Sequence, residues 1–209
     1  MDRMTIEIYG ARILALLVAI IGHEIAHGYV AYLNGDTTAK QDGRLSINPL
    51  NHIDPIGLIF MVVFRFGWAK AVPINPYAFK KRKVGMLTVS LAGVVYNLLM
   101  AFIFSGVFAY LYFHPTSSNF LRLLVENLLW YNVMLGLFNL VPLPPLDGSK
   151  VLASFLPRSW EEKFYQYEKY SYLLLVVAIF TGAIDKVLTP IFNGVIQAFL
   201  GFWGNIFYV

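Results

Sequence analysis

Residues 84–113 form an unbroken run of thirty positions without an acidic or basic side chain. A helix needs about 20 apolar residues to cross a bilayer, so this run is long enough to span with tilt or to protrude at one end. Composition agrees with a membrane protein. Only 13% of the 209 residues are charged and 58% are hydrophobic, with a mean hydropathy of +0.62. A soluble domain usually carries about 25% charged residues. The net charge of +4 comes mostly from one loop and leaves no footprint for nucleic acid. There are no cysteines, which excludes disulfides and thiolate ligands; any metal must be held by His, Asp or Glu.

The chain reads as an α-helical polytopic membrane protein with about five transmembrane helices, forming a single domain over 1–209. The expected segments are 12–34, 84–113, 121–140, 167–184 and 187–208, with a short helix over 149–156. The first apolar run, 13–21, is followed by His23 and Glu24 rather than by small residues at a cleavage site, so it is no signal peptide. Residues 35–83 carry eight of the sixteen Lys and Arg, including Lys80, Lys81, Arg82 and Lys83. The positive-inside rule places this loop at the cytoplasmic face, with the N-terminus outside and the C-terminus inside. Residues 56–64 are too short to span as a helix, so the loop is expected to be partly re-entrant or to contain β structure. Asp185 and Lys186 are expected to form a tight external turn.

The first segment contains His23, Glu24 and His27 in the pattern His-Glu-x-x-His. On a helix, positions i and i+4 share a face, so two imidazoles can meet one metal ion while the intervening Glu reaches a water. Ionisable groups at membrane depth are costly and face protein or water. Catalytic zinc takes three protein ligands, which leaves one to find. Asp147 is the strongest candidate, because it follows the proline-broken stretch 141–146 at membrane depth. Broken backbone there is tolerated only where it is buried or lines a cavity, and Gly148 permits a tight turn beside it. The plainer reading makes Asp147 a helix N-cap. Asp36, Asp42 and Asp54 compete as ligands but suit turns and caps. Other divalent metals also fit the donor set. His27 lies about 10 Å inside the loop end of its helix, so a cleft open to the cytosol is required.

These residues carry a resemblance to the site-2 proteases, the intramembrane zinc metalloproteases. It covers most of the chain. Besides His-Glu-x-x-His, Asn139-Leu140-Val141-Pro142 leading to Leu146-Asp147-Gly148 resembles the family's Asn-x-x-Pro and Leu-Asp-Gly motif, and Ala92-Gly93 to Asn97 is similar to its Ala-Gly-Pro-x-x-Asn stretch, with Val94 where proline is usual. The compact prokaryotic type is the nearest match, since no segment is long enough for a PDZ or regulatory domain. The resemblance implies one zinc ion per chain held by His23, His27 and Asp147, with Glu24 catalytic. Asn97 and Asn139 would orient substrate or stabilise the oxyanion. It further implies single-pass membrane substrates such as membrane-tethered regulators, and location in a prokaryotic cytoplasmic (inner) membrane.

His52 is a candidate gating or substrate-contacting residue; the alternative is a solvated loop histidine. Residues 43–66 could offer a strand edge to an unwound substrate or could plug the fold. A transporter or channel is the rival function, because broken helices and midplane charges also mark ion pathways. Against it, the chain has no inverted repeat.

Overall fold

The computed structural model describes residues 3–52, 54, 70–116, 118–157, 160, 164 and 166–207. Four long helices organise it: α1 (Arg3–Leu33), α3 (Arg82–Phe113), α4 (Asn119–Asn139) and α7 (Ala183–Phe207). Among the described residues the shorter helices are α2 (Thr38–Gln41), α5 (Asp147–Phe155) and α6 (Glu168–Phe180), with single 3-10 turns at Pro49–Asn51 and Pro76–Ala78. The four long helices are apolar and long enough to cross a membrane, and the chain is an integral, polytopic α-helical membrane protein. The expected fifth segment is α6, an apolar helix of 13 residues, about 20 Å at 1.5 Å per residue. No strand occurs among the described residues; 53 and 55–69, and with them the expected re-entrant piece, lie outside them.

Helices α1, α3 and α4 pack mutually and form the centre. Their approach is written at intervals of four. On α1 the buried positions Ala11, Ala15, Ala19, His23, His27 and Ala31 fall on one stripe. On α3, Gly85, Val89, Gly93, Asn97, Ala101, Ser105 and Ala109 form a second. Between helices in lipid, association relies on close backbone approach, which small residues allow. Each stripe interrupts its small residues with polar ones at the same level, so the packing that joins the helices also turns His23, His27 and Asn97 inward.

Helix α7 is attached at the periphery. Phe102 of α3 meets Phe199, Phe202 and Trp203 of α7 with ring centroids 5.1–5.3 Å apart, and Trp203 Nε1–H donates to the Phe102 carbonyl at 3.0 Å. The turn between α6 and α7 falls at Thr181-Gly182, earlier than the Asp185-Lys186 turn expected from sequence. Gly182 adopts φ +70°, a conformation that only glycine enters freely. Asp185 then sits in the first turn of α7, where a carboxylate complements the helix dipole.

Candidate metal centre

Helix α1 supplies two imidazoles and the start of α5 supplies a carboxylate. His23 Nε2 and His27 Nε2 lie 3.0 Å apart, and Asp147 Oδ2 lies 3.1 Å from the first and 2.9 Å from the second. All three residues are buried. Among the described residues this is the cluster of His, Asp and Glu side chains that can hold a metal ion.

The surrounding hydrogen bonds say what such a cluster needs. His23 Nδ1–H donates to Asn97 Oδ1 at 2.6 Å, and His27 Nδ1–H donates to the Val89 carbonyl at 2.7 Å. Each ring therefore carries its proton on Nδ1 and turns the Nε2 lone pair inward. Three acceptors converge with no proton of their own between them, and a bound cation satisfies all three. Two imidazoles and one carboxylate match the donor preference of zinc and leave a position open. Asp147 divides its oxygens: Oδ2 faces the imidazoles, while Oδ1 accepts from Lys150 Nζ at 3.1 Å. Asp147 is the first residue of α5, not its cap, which is Leu146.

Glycines make the room. The ring of His23 lies against Gly93, where a Cβ would stand 2.4 Å from His23 Cε1. At Gly148 a Cβ would stand 2.2 Å from the Leu140 carbonyl oxygen. Gly148 is thus needed for space between α5 and the doubled-back loop 140–146, and not for a left-handed φ as a tight turn would require.

Glu24 sits beside the triad, and its Oε2 accepts from the Val72 backbone N–H at 2.8 Å. Residues 70–75 run past the site without regular structure and are tied down at both ends. Arg44 Nη2 donates to the carbonyls of Lys70 and Ala71, and Asp36 Oδ2 accepts from Asn75 N at 2.6 Å. Asp36 is therefore a turn residue rather than a ligand. Burial acts to raise the pKa of its carboxyl; the Thr38 hydroxyl and the amides of Asn75 and Thr38 outweigh this and hold it below the usual carboxylate range. Asp42 caps α2. Asp54 is outside the metal cluster.

A cavity of about 490 Å3 opens next to the triad. His27 and Asp147 line it together with the apolar Val72, Ile74, Met86 and Val89 and the charged Arg82 and Lys150.

Three residues singled out in the sequence have defined surroundings in the structure. Asn97 is fully buried and its amide is committed to His23, Ala19 and Asn132, so it supports a histidine instead of facing a substrate. Asn139 ends α4, next to the Leu140 carbonyl that packs on Gly148, and its Nδ2 donates to the Leu135 carbonyl of its own helix at 3.0 Å. His52 is 1% exposed, not solvated. Its Nε2–H donates to Ser46 O at 2.7 Å and its carbonyl accepts from Lys70 N, so it braces the loop. Of the candidate strand edge over 43–66, residues 43–52 and 54 are described and form no strand, and the rest lies outside the described residues. Sequence reasoning missed Asn132, Lys150 and the Val72 amide. Of these, Asn132 carried a readable signal, an uncharged polar side chain mid-way along an apolar segment.

Comparison with known proteins decides the family. YwhC of Bacillus subtilis (strain 168), which carries the name of a zinc metalloprotease, is 39% identical over 202 residues, covering 93% of this chain and 91% of YwhC. The chain belongs to peptidase family M50, the site-2 proteases. The family model itself matches residues 114–182 of the protease. Rip2 of Mycolicibacterium smegmatis, also named for a zinc metalloprotease, is 26% identical over 176 residues, 81% of this chain and 66% of Rip2. No solved structure matches. The protein is an intramembrane metalloprotease, and nothing favours the transporter or channel reading.

Proposed function

We propose that the protein is a zinc metalloendopeptidase that cuts single-pass membrane proteins, such as membrane-tethered regulators, within their transmembrane segments in a prokaryotic cytoplasmic (inner) membrane. His23, His27 and Asp147 hold one zinc ion, and Glu24 is the catalytic acid and base. The observation that carries this reading is the convergence of His23 Nε2, His27 Nε2 and Asp147 Oδ2 within 2.9–3.1 Å, with both Nδ1 protons directed elsewhere.

A bound zinc ion supplies Lewis acidity towards a peptide carbonyl and lowers the pKa of water to about 7. The Glu24 carboxylate takes the proton of the attacking water and returns it to the leaving amide nitrogen as the C–N bond breaks. Val72 N–H orients that carboxylate through Oε2, leaving Oε1 for the proton. Asn97 and Val89 hold the two imidazoles in register. The cavity beside His27 accepts a substrate side chain next to the scissile bond.

Two experiments follow. Reconstitution in vesicles with single-pass membrane proteins, and mass spectrometry of the products, is expected to find cuts inside the spanning segment. Trimming from chain ends alone would contradict endopeptidase action. Filling the cavity with Met86→Trp is expected to lower cleavage about tenfold or more with zinc unchanged, since the indole takes volume the substrate side chain needs while Met86 is no part of the metal cluster. Wild-type cleavage by Met86→Trp would remove the cavity from the substrate path.

A further inference from the structure

Asn132 lies on α4, contributes nothing to the metal cluster directly, and is fully buried. A buried amide at membrane depth is tolerated when its hydrogen bonds are made. Those of Asn132 lead to the metal centre. Its Nδ2 donates to the Leu128 carbonyl at 2.7 Å, which turns Oδ1 towards α3. Oδ1 accepts from Asn97 Nδ2 at 2.9 Å, and Asn97 Nδ2 also donates to the Ala19 carbonyl of α1 at 3.1 Å. With both amide hydrogens of Asn97 placed, its Oδ1 is left facing His23 Nδ1 at 2.6 Å. The chain of bonds starts at a backbone carbonyl, passes through three helices and ends on a ring nitrogen.

We infer that Asn132 is a positioning residue for the metal centre: it fixes the amide of Asn97, and thereby which ring nitrogen of His23 carries the proton. An asparagine amide turned over would present Nδ2–H to His23 Nδ1. The ring would then keep its proton on Nε2, the atom whose lone pair must bind the metal. Two acceptors hold Asn97 Nδ2 away from His23, and Asn132 Oδ1 is one of them. The inference rests on the reading of His23 as a zinc ligand. It goes further by giving a residue on a different helix control over that ligand's proton.

Two substitutions separate this role from simple packing. Asn132→Thr shortens the side chain by one bond, so no oxygen stands at the Oδ1 position that Asn97 Nδ2 reaches, while the hydroxyl can bond back to the Leu128 carbonyl and the helix keeps its polar satisfaction. Asn132→Asp is isosteric; protonated in its buried setting, it keeps both an acceptor for Asn97 and a donor for Leu128. Zinc affinity is measured by chelator competition in detergent. The position of the His23 proton is read from ¹⁵N-histidine NMR of the zinc-stripped, folded protein, where only four histidines contribute. Asn132→Thr is expected to weaken zinc binding about tenfold and to shift His23 towards the Nε2–H form, whereas Asn132→Asp stays within about threefold of wild type with the Nδ1–H form retained. Unchanged zinc affinity and unchanged His23 tautomer in Asn132→Thr would overturn the inference, as would equal loss in both variants. Failure of the underlying reading is distinct: it would be seen in His23→Ala, which would then bind zinc as the wild type does.

Discussion

Replacing Glu24 with glutamine is expected to lower peptide cleavage by about 10²- to 10⁴-fold while zinc content stays at the wild-type level. Glutamine matches glutamate in size and keeps a carbonyl oxygen for the Val72 N–H. What it loses is the ability to take a proton from water and return it to the leaving nitrogen. Glu24 is not among the converging ligand atoms, so metal binding is spared. The check is cleavage of a single-pass substrate in vesicles together with zinc measured on the same preparation. Cleavage within about threefold of wild type would assign the proton transfer to another group. Loss of zinc would make Glu24 a ligand.

Gly148→Ala is expected to damage the site from outside the ligand set. The new methyl would stand 2.2 Å from the Leu140 carbonyl oxygen and 2.7 Å from that of Val141, both backbone atoms. Neither can swing aside as a side-chain tip can, so α5 or the 140–146 loop must move, and Asp147 moves with it. Overpacking of this kind costs about 1–3 kcal/mol, and a displacement of about 1 Å at a catalytic centre can cost about 100-fold in rate. A fall of at least tenfold in cleavage, with weaker zinc binding, is the expected outcome. Gly194→Ala is the control: a Cβ there meets nothing within 4 Å, and alanine is the better helix former. Equal behaviour of the two variants would show that the loop yields without disturbing Asp147.

The parts of this site that are local in sequence were legible in it. His23 and His27 are one helical turn apart, so their shared face follows from helix geometry alone. Asp147 was legible because three prolines at membrane depth require a sheltered place, and the structure brings it beside the histidines. The long apolar runs gave α3, α4 and α7 within about four residues of the expected bounds, whereas α1 begins at Arg3, nine residues before the expected 12, because helix continues through the more polar residues 3–11. The interval-of-four stripes of small residues on α1 and α3 were also present to be read, and they determine which faces meet. What could not be read depends on partners far apart in the chain. Asn97 looks like a substrate-facing amide until helix packing sets it 2.6 Å from His23 Nδ1, 74 positions away. The Val72 amide reaches Glu24 only because Arg44 and Asp36 tie down the segment that carries it. His52 looks solvated in a polar loop, and its burial follows from how that loop folds back on Ser46. The α6–α7 turn was misplaced because Asp185-Lys186 is the more polar pair, whereas Gly182 supplies the conformation that a reversal needs.

The most direct test of the site is the metal content of purified, folded wild-type protein, Glu24→Gln and Asp147→Asn, measured by mass spectrometry in detergent. About one zinc per chain is expected in the wild type and in Glu24→Gln, with most of it lost in Asp147→Asn, because a neutral amide at that position gives up the charge that balances the ion. Zinc missing from all three, or held equally well after the Asp147 change, would contradict a three-ligand centre built from His23, His27 and Asp147.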